Sequence, residues 1–260
     1  MDTEKIIIVI QARLGSSRLP GKIMEPILGK PLIWHIVNRL KKISSVSDIV
    51  ISTTNEKEDE KLIEYAQSEK ILIGFGKVDD IIDRLYQTCK KFNPTIVVKI
   101  NGDCPLIDPI LIEEGIKIYL DAKEKPDLVT NALEDTFPEG TQFGIFNFFT
   151  LENLWKKIKE PFWREYFFRY FIEHQHEFKI IGIKNKKNLS SLRWTVDYKE
   201  DLEFVIKIFE TLYEKNNYFT MDEILECLEQ NPKFVKINEK YSSKIGIDEF
   251  NDLKNKLAEK

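Results

Sequence analysis

The chain has only three cysteines and three histidines in 260 residues. Cys89, Cys104 and Cys227 are far apart and odd in number, which suits neither a disulfide framework nor a zinc knuckle and fits a reducing compartment. No apolar run approaches the roughly 20 residues needed to span a bilayer. The N-terminal stretch MDTEKIIIVI puts acids ahead of its apolar residues and lacks a small-residue cleavage site, so it does not read as a signal peptide and a cytoplasmic, membrane-free chain is expected. A basic excess is also missing: 39 Lys and Arg face 43 Asp and Glu, for a net charge of −4. That balance disfavours a general nucleic-acid binder. There is no internal repeat, low-complexity tract or Pro/Gly/Ser-rich linker, so one large domain is expected rather than two.

What charge there is, is uneven. Four of the basic residues (Lys5, Arg13, Arg18 and Lys22) and none of the acids lie between Lys5 and Met24. They flank and follow a continuous β-branched run, Lys5 to Gln11, which reads as a fully buried parallel strand. Pro31 opens a helix with Leu32, Ile33, Ile36, Val37 and Leu40 on one face. Strands are predicted at Asp48–Thr53, Ile71–Ile73, Thr95–Asn101 and Asp127–Asn131, with helices between them over Glu56–Glu69, from Val78 to Cys89, and from Asp108. This alternation predicts an α/β sandwich with a mostly parallel sheet. The segment 137–178 is dense in Phe, Tyr and Trp and is expected to form an inserted subdomain, acting as a substrate wall or subunit interface. Trp194–Val196 is expected to return to the sheet and to end at Asp197. Helices follow over Lys199–Lys215 and Thr220–Glu229. Residues 1–238 thus form the domain, and 239–260 a peripheral helix.

Three constellations carry chemistry. In Gln11–Lys22 (QARLGSSRLPGK), Gly15, Ser16 and Ser17 let backbone N–H groups approach an anion, while Arg13, Arg18 and Lys22 add charge at the carboxyl end of a strand. It is neither a Walker loop nor a G-x-G-x-x-G turn. In NGDCPL, Asp103 follows a buried strand beside a glycine; in RWTVD, Asp197 ends another. Two such carboxylates could share one Mg²⁺ with substrate phosphates. Asp197 could equally cap the acid-rich helix that follows. Four other residues read as structural or inert. His174 and His176 diverge on a helix, His35 packs, and Cys104 has no base beside it.

These stretches, with GKPL (Gly29–Leu32), DDIIDR (Asp79–Arg84), NGDCPLIDP (Asn101–Pro109) and RWTVDYKEDLE (Arg193–Glu203), resemble the SpsF-like cytidylyltransferases of spore-coat polysaccharide biosynthesis, relatives of the CMP-sialic acid and CMP-Kdo synthetases. The resemblance runs from about Ile6 to Asn238. It implies a Rossmann-like three-layer α/β/α sandwich of the nucleotide-diphospho-sugar transferase type, which binds CTP at the carboxyl edge and forms a homodimer partly through the insertion. It assigns Arg13, Gly15, Ser16, Ser17, Arg18 and Lys22 to the CTP phosphates and Asp103 and Asp197 to Mg²⁺. It also implies that Gln11 and Ala12 line the base pocket, with Asp79, Asp80 and Arg84 near the base or ribose. On the acceptor side this chain departs from the family. Gly140-Thr-Gln142-Phe-Gly144 replaces a G-x-D-x-E pattern, and Arg164-Glu165-Tyr166 replaces Arg-Glu-His. The implied reaction is transfer of CMP from CTP to an anionic sugar-acid or phosphorylated acceptor. A glycosyltransferase of the same fold and a silent nucleotide-binding paralogue are the alternatives.

Overall fold

A computed structural model describes residues 4–241 and 245–258. The β-branched run forms β1 (Ile6–Gln11), flanked in parallel by β4 (Asp48–Thr53) and β6 (Ile96–Asn101), with β5 (Leu72–Phe75) parallel to β4. Beyond β6, β8 (Phe143–Asn147) runs antiparallel to both β6 and β7 (Leu128–Thr130), and β9 (Ile180–Gly182) lies parallel to β7. The order is β5-β4-β1-β6-β8-β7-β9, a mixed and mostly parallel sheet. β2 (Pro26–Ile27) and β3 (Lys30–Pro31) make a separate small hairpin.

Alternate side chains of β1 point to opposite faces of the sheet. Ile6, Ile8 and Ile10 join the core beneath α1 (Leu32–Leu40), α2 (Glu60–Ser68), α4 (Pro109–Asp121), α8 (Lys199–Leu212) and α9 (Met221–Gln230). Ile7 and Val9 join the core beneath α3 (Ile81–Phe92), α5 (Phe148–Lys157) and α7 (Phe167–Glu173). This is the three-layer α/β/α sandwich expected from the sequence. A strand buried on both faces puts its carboxyl end, and the loop after it, at the centre of the molecule's working edge.

Two parts of the chain differ from the sequence reading. The aromatic segment contributes β8 to the main sheet before continuing into α5, α6 (Pro161–Glu165) and α7. Phe143, Gly144, Ile145 and Phe146 are all buried, so β8 shows no polar alternation and its period is silent in the sequence. Trp194–Val196 does not join the ladder. The Trp194 N–H is spent on the Glu139 carbonyl at 2.7 Å and that of Val196 on the Asp103 carbonyl at 2.9 Å. The segment is therefore a tie between two loops, with one bridge, Glu139 to Arg193.

Candidate active site

The loop after β1 is held by a buried acid. Asp59, 2% exposed, accepts the Leu14 N–H at 2.6 Å through Oδ1, and Thr53 Oγ1 at 3.0 Å through Oδ2. The loop closes on itself through Gly21 N–H to the Leu14 carbonyl at 3.0 Å, with Gly21 at φ 74°, a conformation L side chains resist. Its neighbour at the end of β6 approaches so closely that a Cβ on Gly102 would lie 2.7 Å from Ala12 Cβ and 2.9 Å from the Gln11 carbonyl. Glycine at 102 thus brings Asp103 against the basic loop.

Between these loops lies a cavity of about 460 Å³ lined by Gln11, Ala12, Arg13, Gly15 to Arg18, Lys22, Arg84, Asp103 and Asp197. Lys22 Nζ sits 2.7 Å from Asp103 Oδ2 and 2.8 Å from Asp197 Oδ1. Arg18 Nη2 reaches the same Asp197 oxygen at 2.8 Å, and Arg193 Nη2 takes Oδ2 at 2.7 Å. Burial alone would raise the Asp197 carboxyl, but Lys22, Arg18 and Arg193 hold it at about 2. Lys22 is shifted upward despite its own burial, by Asp103 and Asp197. The site is a compact charge cluster rather than a solvated basic turn.

Arg193, 2% exposed at its side chain, is the hub behind it. It donates to Glu139 Oε2 at 2.5 Å and to Asp201 Oδ1 at 3.1 Å as well as to Asp197. The Asp201 carboxylate accepts the N–H groups of Asp197 and Tyr198, both at 3.0 Å. Asp201 therefore satisfies the N-terminus of α8 and leaves the Asp197 side chain facing the cavity, not capping. Burial pushes Glu139 up to about 8 against the pull of Arg193. Asp59 and Glu139 were not singled out by sequence spacing, since their partners lie on other elements; Asp201 was missed although its place three residues after Tyr198 is the spacing of a capping box.

Among the described residues, no group of three or more His, Cys, Asp or Glu converges on a metal-sized point. Asp103 and Asp197 nevertheless converge on one cation, the Lys22 ammonium, and supply hard oxygen donors. Two carboxylates completed by substrate phosphates are a Mg²⁺ donor set, so the residues present fit that ion once Lys22 turns to the phosphates. Cys104 is no nucleophile: burial first, and then Asp103, push its thiol well up.

A second cavity, of about 410 Å³, adjoins the first and shares Gln11, Asn101 and Tyr166 with it. Gln142, Glu165 and Tyr166 line it, together with Lys99, Asp135, Glu139, Phe168 and Arg169. Gln142 is spent on its own turn, accepting from Gly140 N–H at 2.8 Å and donating to the Pro138 carbonyl at 3.1 Å. Desolvation lowers Lys99 to about 8. A Cβ at Gly144 would lie 2.3 Å from Phe168 Cε2, so the Phe168 ring fills the space that an acid at 144 would need. Asp80 and Arg164 line neither cavity: Asp80 caps α3 through the Asp83 N–H at 3.0 Å and pairs with Arg164 Nε at 2.7 Å. Arg84 reaches the first cavity but is tied to the Lys77 and Val78 carbonyls at 3.0 and 3.1 Å. His174 and His176 lie in neither lining, with ring centroids 6.4 Å apart.

The tail, α10 (Ile245–Ala258), lies across this edge, and its Glu249 meets Arg18 Nη1 at 2.8 Å. Among the described residues no helix is long and apolar enough to cross a membrane.

Comparison with known proteins agrees with this geometry. The sequence profile of the family described as Cytidylyltransferase matches residues 7–239. An uncharacterized protein, MJ1063, of Methanocaldococcus jannaschii is 30% identical over 90% of this chain and 94% of its own length. The spore coat polysaccharide biosynthesis protein SpsF of Bacillus subtilis is 24% identical over 87% and 95%. A solved cytidylyltransferase structure from Leptospira borgpetersenii superposes with a TM-score of 0.85 at 31% identity, covering 89% of this chain and 97% of that one. With the basic loop, the paired carboxylates and the sheet order in their places, the chain belongs to the cytidylyltransferase family and is an enzyme of nucleotidyl transfer.

Proposed function

We propose that the enzyme transfers CMP from CTP to a small acceptor carrying an anionic group, a sugar acid or a phosphorylated sugar or polyol, and releases pyrophosphate. The observation that carries this reading is the cavity in which Arg13, Arg18, Lys22 and the Gly15–Ser17 backbone meet Asp103 and Asp197. Three cations suit a triphosphate better than a nucleotide sugar's diphosphate, which argues against glycosyl transfer. Asp103 and Asp197 are the residues that would hold Mg²⁺, which when bound supplies neutralising charge to the phosphates.

In the reaction an acceptor oxygen attacks the α-phosphorus in line. The bond from that phosphorus to the bridging oxygen breaks, and pyrophosphate leaves with the electron pair. Arg13, Arg18 and Lys22 take up the charge that builds on it, so catalysis is positioning and electrostatics rather than a triad. A phosphate acceptor arrives ionised and needs no base, whereas the attacking hydroxyl of a sugar acid passes its proton to solvent as the new bond forms. The second cavity is assigned to the acceptor, with its lining residues Lys99 and Arg169 set to receive the anionic group; the Arg169 guanidinium stands 5.8 Å from the Phe250 ring centroid. A homodimer through the aromatic segment and a place in surface-glycan synthesis belong to the same reading. The SpsF relative supports the latter, and Phe149, 68% exposed on α5, the former.

A pyrophosphate-release screen of the four nucleoside triphosphates against sugar acids, sugar phosphates and polyol phosphates tests this. Release with CTP and an anionic acceptor is expected. CTP binding without release across the panel would favour the silent paralogue, for which the altered Gln142, Gly144 and Tyr166 speak.

A further inference from the structure

The residues beyond the family match end in a helix that reaches into the phosphate site. The match stops at residue 239, and α10 begins at Ile245. Phe250, 2% exposed, seats the helix against the aromatic segment, 5.3 Å from the Phe162 ring and 5.4 Å from that of Tyr166. Lys254 pairs with Glu173 on α7. One residue before Phe250, Glu249 sets both carboxylate oxygens on Arg18 Nη1, at 2.8 and 2.9 Å. Arg18 Nη2 is already on Asp197. Both ends of the Arg18 fork are thus held by acids of this chain, and Glu249 itself lines the cavity.

We infer that Glu249 is an internal competitor for Arg18: its carboxylate occupies the donor that a β- or γ-phosphate takes, and so sets how tightly the site holds CTP and pyrophosphate. The pair is made to be broken. Glu249 is 53% exposed at its side chain and Arg18 30%, so solvent screens the contact and a phosphate with more charge displaces it. The same competition weakens the grip on pyrophosphate after transfer and speeds its release. CMP carries no β- or γ-phosphate and does not have to displace Glu249. This inference rests on the assignment of Arg18 to the outer phosphates of CTP.

The test is isothermal titration calorimetry of the full chain and its Glu249→Gln variant with CTP, inorganic pyrophosphate and CMP at low salt. Glutamine keeps the size of the side chain and removes its charge. The expected result is a Kd for CTP and for pyrophosphate about two- to fivefold lower in the variant, with CMP unchanged and the gain shrinking at high salt. Equal affinities for CTP and pyrophosphate in both proteins would overturn the inference, as would an equal change for CMP. Absence of CTP binding in both proteins would overturn the nucleotide reading itself, and with it the inference.

Discussion

Replacing Arg193 with methionine tests the charge network directly. Methionine keeps most of the buried stem but removes a guanidinium bonded to Glu139, Asp197 and Asp201. Breaking a buried ion pair from one side costs roughly 3–5 kcal/mol, because the partner left behind stays desolvated. The lower end applies here. Asp197 keeps Lys22 and Arg18, and Asp201 keeps two backbone N–H groups and Asn238 Nδ2 at 2.9 Å. Glu139 loses its cation and is the group that pays by protonating, since its carboxyl already stands at about 8 beside Arg193. A slope of about 3 kcal/mol/M for a chain of this size turns 3 kcal/mol into a urea midpoint shift of roughly 1 M. The sign with pH follows. Below the elevated Glu139 value the variant carries a neutral acid in place of a buried charge, so the penalty is larger at pH 8.5 than at pH 6. Urea unfolding of Arg193→Met at both pH values checks this. A shift under about 0.3 M at pH 8.5, or a penalty that grows as the pH falls, would refute the reasoning.

Three further outcomes are expected. Gly102→Ala forces a Cβ to within 2.7 Å of Ala12 and 2.9 Å of the Gln11 carbonyl, and should cost about 1–3 kcal/mol in chemical denaturation while weakening CTP binding. Asp103→Asn should lower turnover by roughly 100-fold or more, while moving the thermal midpoint by no more than about 4 °C, because Lys22 keeps Asp197. Lys99 loses its proton as pH rises through about 8, so KM for an anionic acceptor should climb above that pH in the native enzyme and stay flat in Lys99→Met.

The central strand and the basic loop were legible because their signals are local. Ile6 to Ile10 form one uninterrupted β-branched run, and Arg13, Arg18 and Lys22 fall within ten residues. Asp103 and Asp197 were legible as strand-end carboxylates and stand together on Lys22, although the segment before Asp197 is a tie between loops and not a strand. β8 was illegible because both of its faces are buried, which erases alternation, and its Phe-Gly-Ile-Phe lacks the β-branched run that marks β1. Glu139 and Glu249 were illegible for another reason. Each acts on a residue from a distant part of the chain, Glu139 on Arg193 across 54 positions and Glu249 on Arg18 across 231, and no spacing rule encodes such a meeting. The Asp79–Arg84 motif pointed to the nucleotide, but the fold spends Asp80 on capping α3 and holding Arg164. The acceptor-side departures acquire a physical sense: Gly144 and Phe168 are a fitted pair, so the missing acid is matched by a ring.

The most direct measurement follows the α-phosphorus. CTP labelled at that atom is incubated with Mg²⁺, the enzyme and an acceptor from the anionic panel, and the products are separated. The account predicts that the label moves into a CMP–acceptor conjugate in step with pyrophosphate release, and that Asp103→Asn suppresses both. Label recovered only as free CMP or CDP, or sugar transferred instead from a cytidine diphosphate sugar, would contradict it.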